Sequence, residues 1–202
     1  MMKWKRYIIL FFFITLLLFI IVLRIAPTEK WQEFKMKSSI SQHEIPEEYI
    51  DLYQEAANEY HIPWELLASV HRVETIFSTM DPLVSPVGAL GHFQFMPRTW
   101  VGWTYPGGDL GEIDEDVDIT DLTLIEEHGG YGVDGNGDGI ADPFDIVDAA
   151  YSAAKYLSKY GASEGNYEEA LFAYNKSDDY VEEVMMYFNT YQENYETFTL
   201  QE

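Results

Sequence analysis

The chain has 202 residues and no cysteine, so it carries neither disulfides nor thiolate ligands, and a cysteine nucleophile is excluded. Its 35 acidic and 12 basic residues give a formal charge of -23, which argues against nucleic acid as a partner, because a nucleic-acid binder shows a basic footprint. Any metal must be held by oxygen or imidazole, and a hydrophobic content of 47% is enough for one ordinary core.

The first element is an uncharged run, Tyr7 to Leu23, bracketed by Lys3, Lys5 and Arg6 before it and Arg24 after it. A run of seventeen uncharged, mostly apolar residues lies at the short end of a membrane-spanning helix, and Ile25 and Ala26 extend the run when Arg24 snorkels. A cleaved signal peptide is the competing reading, but RIAPTEK offers no convincing small-x-small cleavage site. The expected layout is a cytoplasmic tail at 1–6, a single-pass membrane anchor at 7–26 and everything beyond it outside the cell membrane, by the positive-inside rule. Residues 27–45 are polar and weakly periodic, which suits a linker, and 46–202 form the folded domain.

Within that domain helical spacing dominates. Tyr49, Leu52, Tyr53, Ala56, Ala57 and Tyr60 form one stripe, and Leu66, Leu67, Val70 and Val73 form a second, opened by Pro63. The second stripe ends in HRVETIF, where Glu74 lies four residues after Val70 and seven after Leu67, on the apolar face. Burial and a helix C-terminus both raise a carboxyl pKa, so this glutamate is a candidate general acid. The plainer alternative is a frayed helix end with Glu74 turned to solvent. His71, one turn earlier, is a lone helical histidine and receives no role.

A loop rich in Pro and Gly leads to HFQFMPRTW. An acidic segment at about 105–129 follows, with nine acids from Asp109 to Glu127, and it reads as solvated surface. DGNGDGIADPFD then fits a calcium loop, with Asp134, Asn136, Asp138 and Asp145 as oxygen ligands. Its alternative is a metal-free Asx and Gly turn in which Asp145 caps the next helix. That helix carries Ala149, Ala150, Ala153 and Leu157 and stops at Gly161; further helices are expected at about 167–174 and 179–191. No strand alternation is strong enough for a large sheet, so the fold class is mainly α.

Three separated segments, HRVETIF, GALGHFQFMPRTW and AYNKSDDYVEEVMMY, resemble in order and spacing the lytic transglycosylases of the goose-type lysozyme superfamily. The calcium-like loop resembles the membrane-bound lytic transglycosylase B branch. The resemblance implies an α+β lysozyme-like domain acting on peptidoglycan glycan strands. It implies cleavage of the MurNAc-GlcNAc bond as a lyase, leaving 1,6-anhydromuramoyl ends, with Glu74 as both acid and base and no cofactor in the chemistry. Gln94, Tyr174 and Asn175 are the implied substrate-binding residues. Thr75 stands where the family usually has Ser, and Phe93 where Met is frequent. A water-using muramidase of the same fold, or a non-catalytic glycan-binding scaffold, are the alternatives. Phe93 and Phe95 are expected in the core, with Trp100 and Trp103 open between core and sugar contact.

Overall fold

A short strand straddles the expected boundary between linker and domain, with Glu44 and Ile45 on the linker side of it and Pro46 on the domain side. Strand β1 (Glu44–Pro46) pairs in parallel with β2 (Glu196–Phe198), with Ile45 fully buried opposite Thr197. The structure, a computed structural model, describes residues 40–114 and 116–200. Its contacts separate a leading unit ending at Ile40 from a unit that begins at Ser41, so residues 41–45 belong with the domain and not with the linker. The expected tail, anchor and most of the linker lie outside the described residues. Among the described residues no helix is long and apolar enough to cross a membrane.

Helices account for most of the unit, as the spacing predicts: α1 (Ile50–Glu59), α2 (Trp64–Thr75), α3 (Pro97–Val101), α4 (Leu122–His128), α5 (Ile146–Lys159), α6 (Tyr167–Tyr174) and α7 (Asp178–Glu193). Helix α1 buries the one-sided stripe Tyr53, Ala56 and Ala57. Helix α2 differs, because every residue from Leu66 to Arg72 is buried, which marks it as the centre of the core. It packs against α7 and α1 and touches α5; α5 in turn packs on α1 and α6, and α6 on α7.

A helix buried all round must satisfy its own polar side chains. Ser69 donates to the Glu65 carbonyl, and Arg72 donates to the carbonyls of Ser41 and Glu44 and to the Tyr191 hydroxyl. The Arg72 guanidinium also lies over the Tyr187 ring, 4.3 Å from its centroid. One buried cation thereby ties the β1 segment, α2 and α7 together. Asp145 caps α5 by accepting from Val147 and Asp148 backbone N–H groups, Gly161 follows with φ 109° to end it, and Ser177 caps α7.

The acidic segment is more ordered than a solvated run requires. It contains α4, capped by Asp121, and Arg98 donates to the carbonyls of Trp103, Tyr105, Gly107 and Gly108. A single guanidinium thus folds the start of the segment back onto α3.

Candidate functional site

Glu74 is the penultimate residue of α2 and is only part-buried, so it keeps a solvent-facing edge while protein surrounds it closely. Burial pushes its carboxyl from the ordinary value up to about 8, against a smaller downward pull from the Tyr180 hydroxyl. At neutral pH the group is a neutral acid. The frayed-end alternative fails, because the helix continues through Thr75.

Beyond that point Ile76, Phe77 and Ser78 take φ values of 52°, 57° and 65° in succession. Left-handed backbone costs roughly 1–3 kcal/mol per non-glycine residue, so three in a row require firm support from their surroundings. Part of that support is Thr75, whose hydroxyl donates to the His92 carbonyl and accepts from the Ser78 backbone N–H.

Two tyrosines face Glu74. Tyr174, the last residue of α6, donates its hydroxyl to the Phe93 carbonyl at 2.8 Å. Tyr180, in the first turn of α7, is 8% exposed, and its hydroxyl lies against the Glu74 carboxyl without closing a well-formed hydrogen bond to any described residue. Burial and then the nearness of Glu74 hold both phenols well above their ordinary pKa. Glu74, Tyr174 and Tyr180 thus converge from α2, α6 and α7. A buried hydroxyl is costly unless it is satisfied, and the Glu74 carboxyl is the group beside this one. The sequence reading missed Tyr180; the available signal was its place one turn into the helix that follows Asn175.

Gln94 (φ 50°) turns its Nε2 onto the Gly91 and Leu83 carbonyls at 2.8 and 3.4 Å. Its amide N–H groups therefore shape the 83–95 loop, and Oε1 is the atom left to receive a ligand. The same loop needs Gly91, where a Cβ would sit 1.7 Å from the Pro143 carbonyl oxygen. Asn175 is exposed at the C-cap of α6. Phe93, Phe95 and Trp100 are core residues, whereas Trp103 is 49% exposed beneath the Arg98 guanidinium.

The four oxygen ligands expected for calcium are not assembled. Asp134 accepts from the backbone N–H groups of Gly137, Asp138 and Gly139, Asn136 from Asp138, and Asp138 from Ile140, while Asp145 is used as the α5 cap. Among the described residues no group of three or more His, Asp or Glu is placed to hold a metal ion. The loop instead closes on Asp148, which is fully buried and accepts from Gly135, Asn136 and Asp142. Asx turns and a buried carboxylate account for its shape.

Compared with known proteins, the chain matches no family model and no solved structure. It is similar to the L-Ala–D-Glu endopeptidase of Bacillus subtilis (strain 168), at 28% identity over 146 residues, covering 70% of this chain and 42% of that protein. The chain therefore spans less than half the length of the relative it matches. This finding corrects the reaction implied by the three segments. The similar protein is named for cutting a peptide bond, no family model or solved structure supports a lytic transglycosylase, and the lyase assignment is withdrawn.

Proposed function

We propose that the chain is a hydrolase acting on peptidoglycan, with Glu74 as its proton donor and the peptide stems as the substrate. The observation that carries the proton donor is the Glu74 carboxyl itself, kept protonated to about pH 8 by burial while one edge stays within reach of solvent. The choice of bond comes from the name of the similar protein.

In this reading water attacks the stem carbonyl, and the C–N bond breaks as the Glu74 proton passes to the leaving nitrogen. The proton released by the water returns to Glu74, so one carboxyl closes the cycle. Tyr180, buried beside Glu74, donates to the carbonyl oxygen as negative charge builds there. Gln94 Oε1, Tyr174 and Asn175 border the substrate. No cofactor takes part in the proton transfer. The anchor at 7–26 belongs to the same reading, and it places the domain on the outer side of the cell membrane, where peptidoglycan lies.

The test is digestion of purified peptidoglycan by the full chain in detergent, with labelling of new amino groups and mass spectrometry of the fragments. New amino ends on D-Glu are expected, and Glu74→Gln should lower their rate by about a hundredfold or more. Fragments carrying only new sugar ends would overturn the choice of bond and spare the proton donor. A fully active Glu74→Gln would overturn the proton donor.

A further inference from the structure

A line of hydrogen bonds grips the end of α2 from the side. Tyr53 Oη lies 2.6 Å from His71 Nδ1, His71 Nε2 lies 2.7 Å from Ser78 Oγ, Ser78 Oγ lies 2.6 Å from His92 Nδ1, and His92 Nε2 lies 2.9 Å from the Phe144 carbonyl. The last partner fixes the direction of the whole line. A carbonyl oxygen only accepts, so His92 donates through Nε2–H, and Nδ1 of that neutral ring must accept from the Ser78 hydroxyl. Ser78 Oγ then accepts from His71 Nε2–H, which leaves His71 Nδ1 to accept from Tyr53. Every proton has one place, provided that both rings are neutral.

Their surroundings keep them so. His71 is fully buried and stacked on Phe93 with centroids 4.6 Å apart, and burial lowers the affinity of both rings for a proton. Asp142 and Asp145 act on His92 in the opposite sense, as does its bond to Phe144. Tyr49 also sets its hydroxyl against Ser78.

We propose that Ser78 is a positioning residue of the Glu74 site. It joins two imidazoles, holds the left-handed turn 76–78 closed, and so fixes the helix end that carries Glu74 against the loop 92–94. Three observations meet in it: the run of three positive φ values that must be held, the bonds from Ser78 to both histidines, and the Thr75 hydroxyl that bridges the Ser78 N–H and the His92 carbonyl. The 92–94 loop is in turn the one that receives Tyr174 through the Phe93 carbonyl. The line therefore holds α2, the 92–94 loop and the end of α6 in one arrangement. Its effect on turnover rests on the proton-donor reading above; its effect on the Glu74 carboxyl does not.

Two measurements on the full chain test this. In 15N-histidine spectra at neutral pH, His71 and His92 are both expected as neutral Nε2–H tautomers; a Nδ1–H tautomer or an imidazolium at either position would overturn the direction of the line. Ser78→Ala should move the 13C-observed titration of the Glu74 carboxyl down by at least about one pH unit, because a loosened turn admits water. It should also reduce kcat about tenfold with KM unchanged, as expected for a misplaced acid. His92→Asn, whose Oδ1 can accept where Nδ1 does, should keep the wild-type titration, and it serves as the second variant should Ser78→Ala fail to fold. An unchanged Glu74 titration in folded Ser78→Ala would sink the proposal. A chain without activity on peptidoglycan would sink the functional reading, and the titration would still decide the role of Ser78.

Discussion

A glutamate that keeps its proton in the folded state reverses the usual dependence of stability on pH. Glu74 has a folded pKa of about 8 against an ordinary value of 4.5, so its native form is stabilised fully below 4.5 and loses that contribution as pH rises toward 8. Glu74→Gln, which is permanently neutral, should therefore raise Tm by several degrees at pH 9 and by little at pH 4.5; an equal change at both would contradict the buried acid. The same pKa predicts that wild-type activity holds through neutral pH and declines above about 8. Tyr180→Phe separates stability from turnover in another way. It removes a buried hydroxyl with no well-formed bond among the described residues, so thermal denaturation should show no loss of stability, while turnover should drop roughly tenfold if that hydroxyl meets the substrate. At this scale the place of Glu74 on the helix was legible, because a carboxylate on an apolar stripe is visible in spacing alone. Tyr180 and Ser78 are harder to see, since their significance lies in what they touch: Tyr180 meets Glu74 across the fold, and Ser78 meets His71 and His92 through a turn that spacing does not describe.

Whole elements were legible where their pattern is long. Helices α1, α2, α5, α6 and α7 follow stripes and caps readable in one dimension, down to Asp145 ahead of α5 and Gly161 behind it. Strands of three residues leave no period to detect, so the spacing puts Glu44 and Ile45 of β1 in the linker and gives no sign of β2. The 134–142 loop offers one spacing with two uses. Its spacing fits a calcium site, yet the same carboxylates serve as turn and cap acceptors, and its central residue is Asp148, on the helix beyond. Because among the described residues no three acidic or histidine side chains are grouped to hold a metal ion, millimolar calcium should leave Tm unchanged relative to a chelator, whereas Asp148→Ala should lower it by several degrees. A rise of several degrees with calcium in the wild type would restore the metal reading.

At the scale of the molecule, a charge of -23 makes self-repulsion a general load on the compact state. Adding salt to about 0.3 M should raise Tm by screening it, with little effect on the Glu74 titration, since closely surrounded groups are screened less. The three resembling segments do meet in space, since Glu74, the 92–94 loop and Tyr174 adjoin, yet the relative they led away from is a peptidase. A shared arrangement of side chains fixes neither the bond cut nor the reaction class. The small sheet has a mechanical meaning as well. Because β1 and β2 run parallel at opposite ends of the unit, tension between those ends would slide one strand along the other and strain all the ladder bonds together. Behind them Arg72 fastens the β1 segment to α2 and α7, so a pull on the chain would meet this clasp before it reached the helix that carries Glu74.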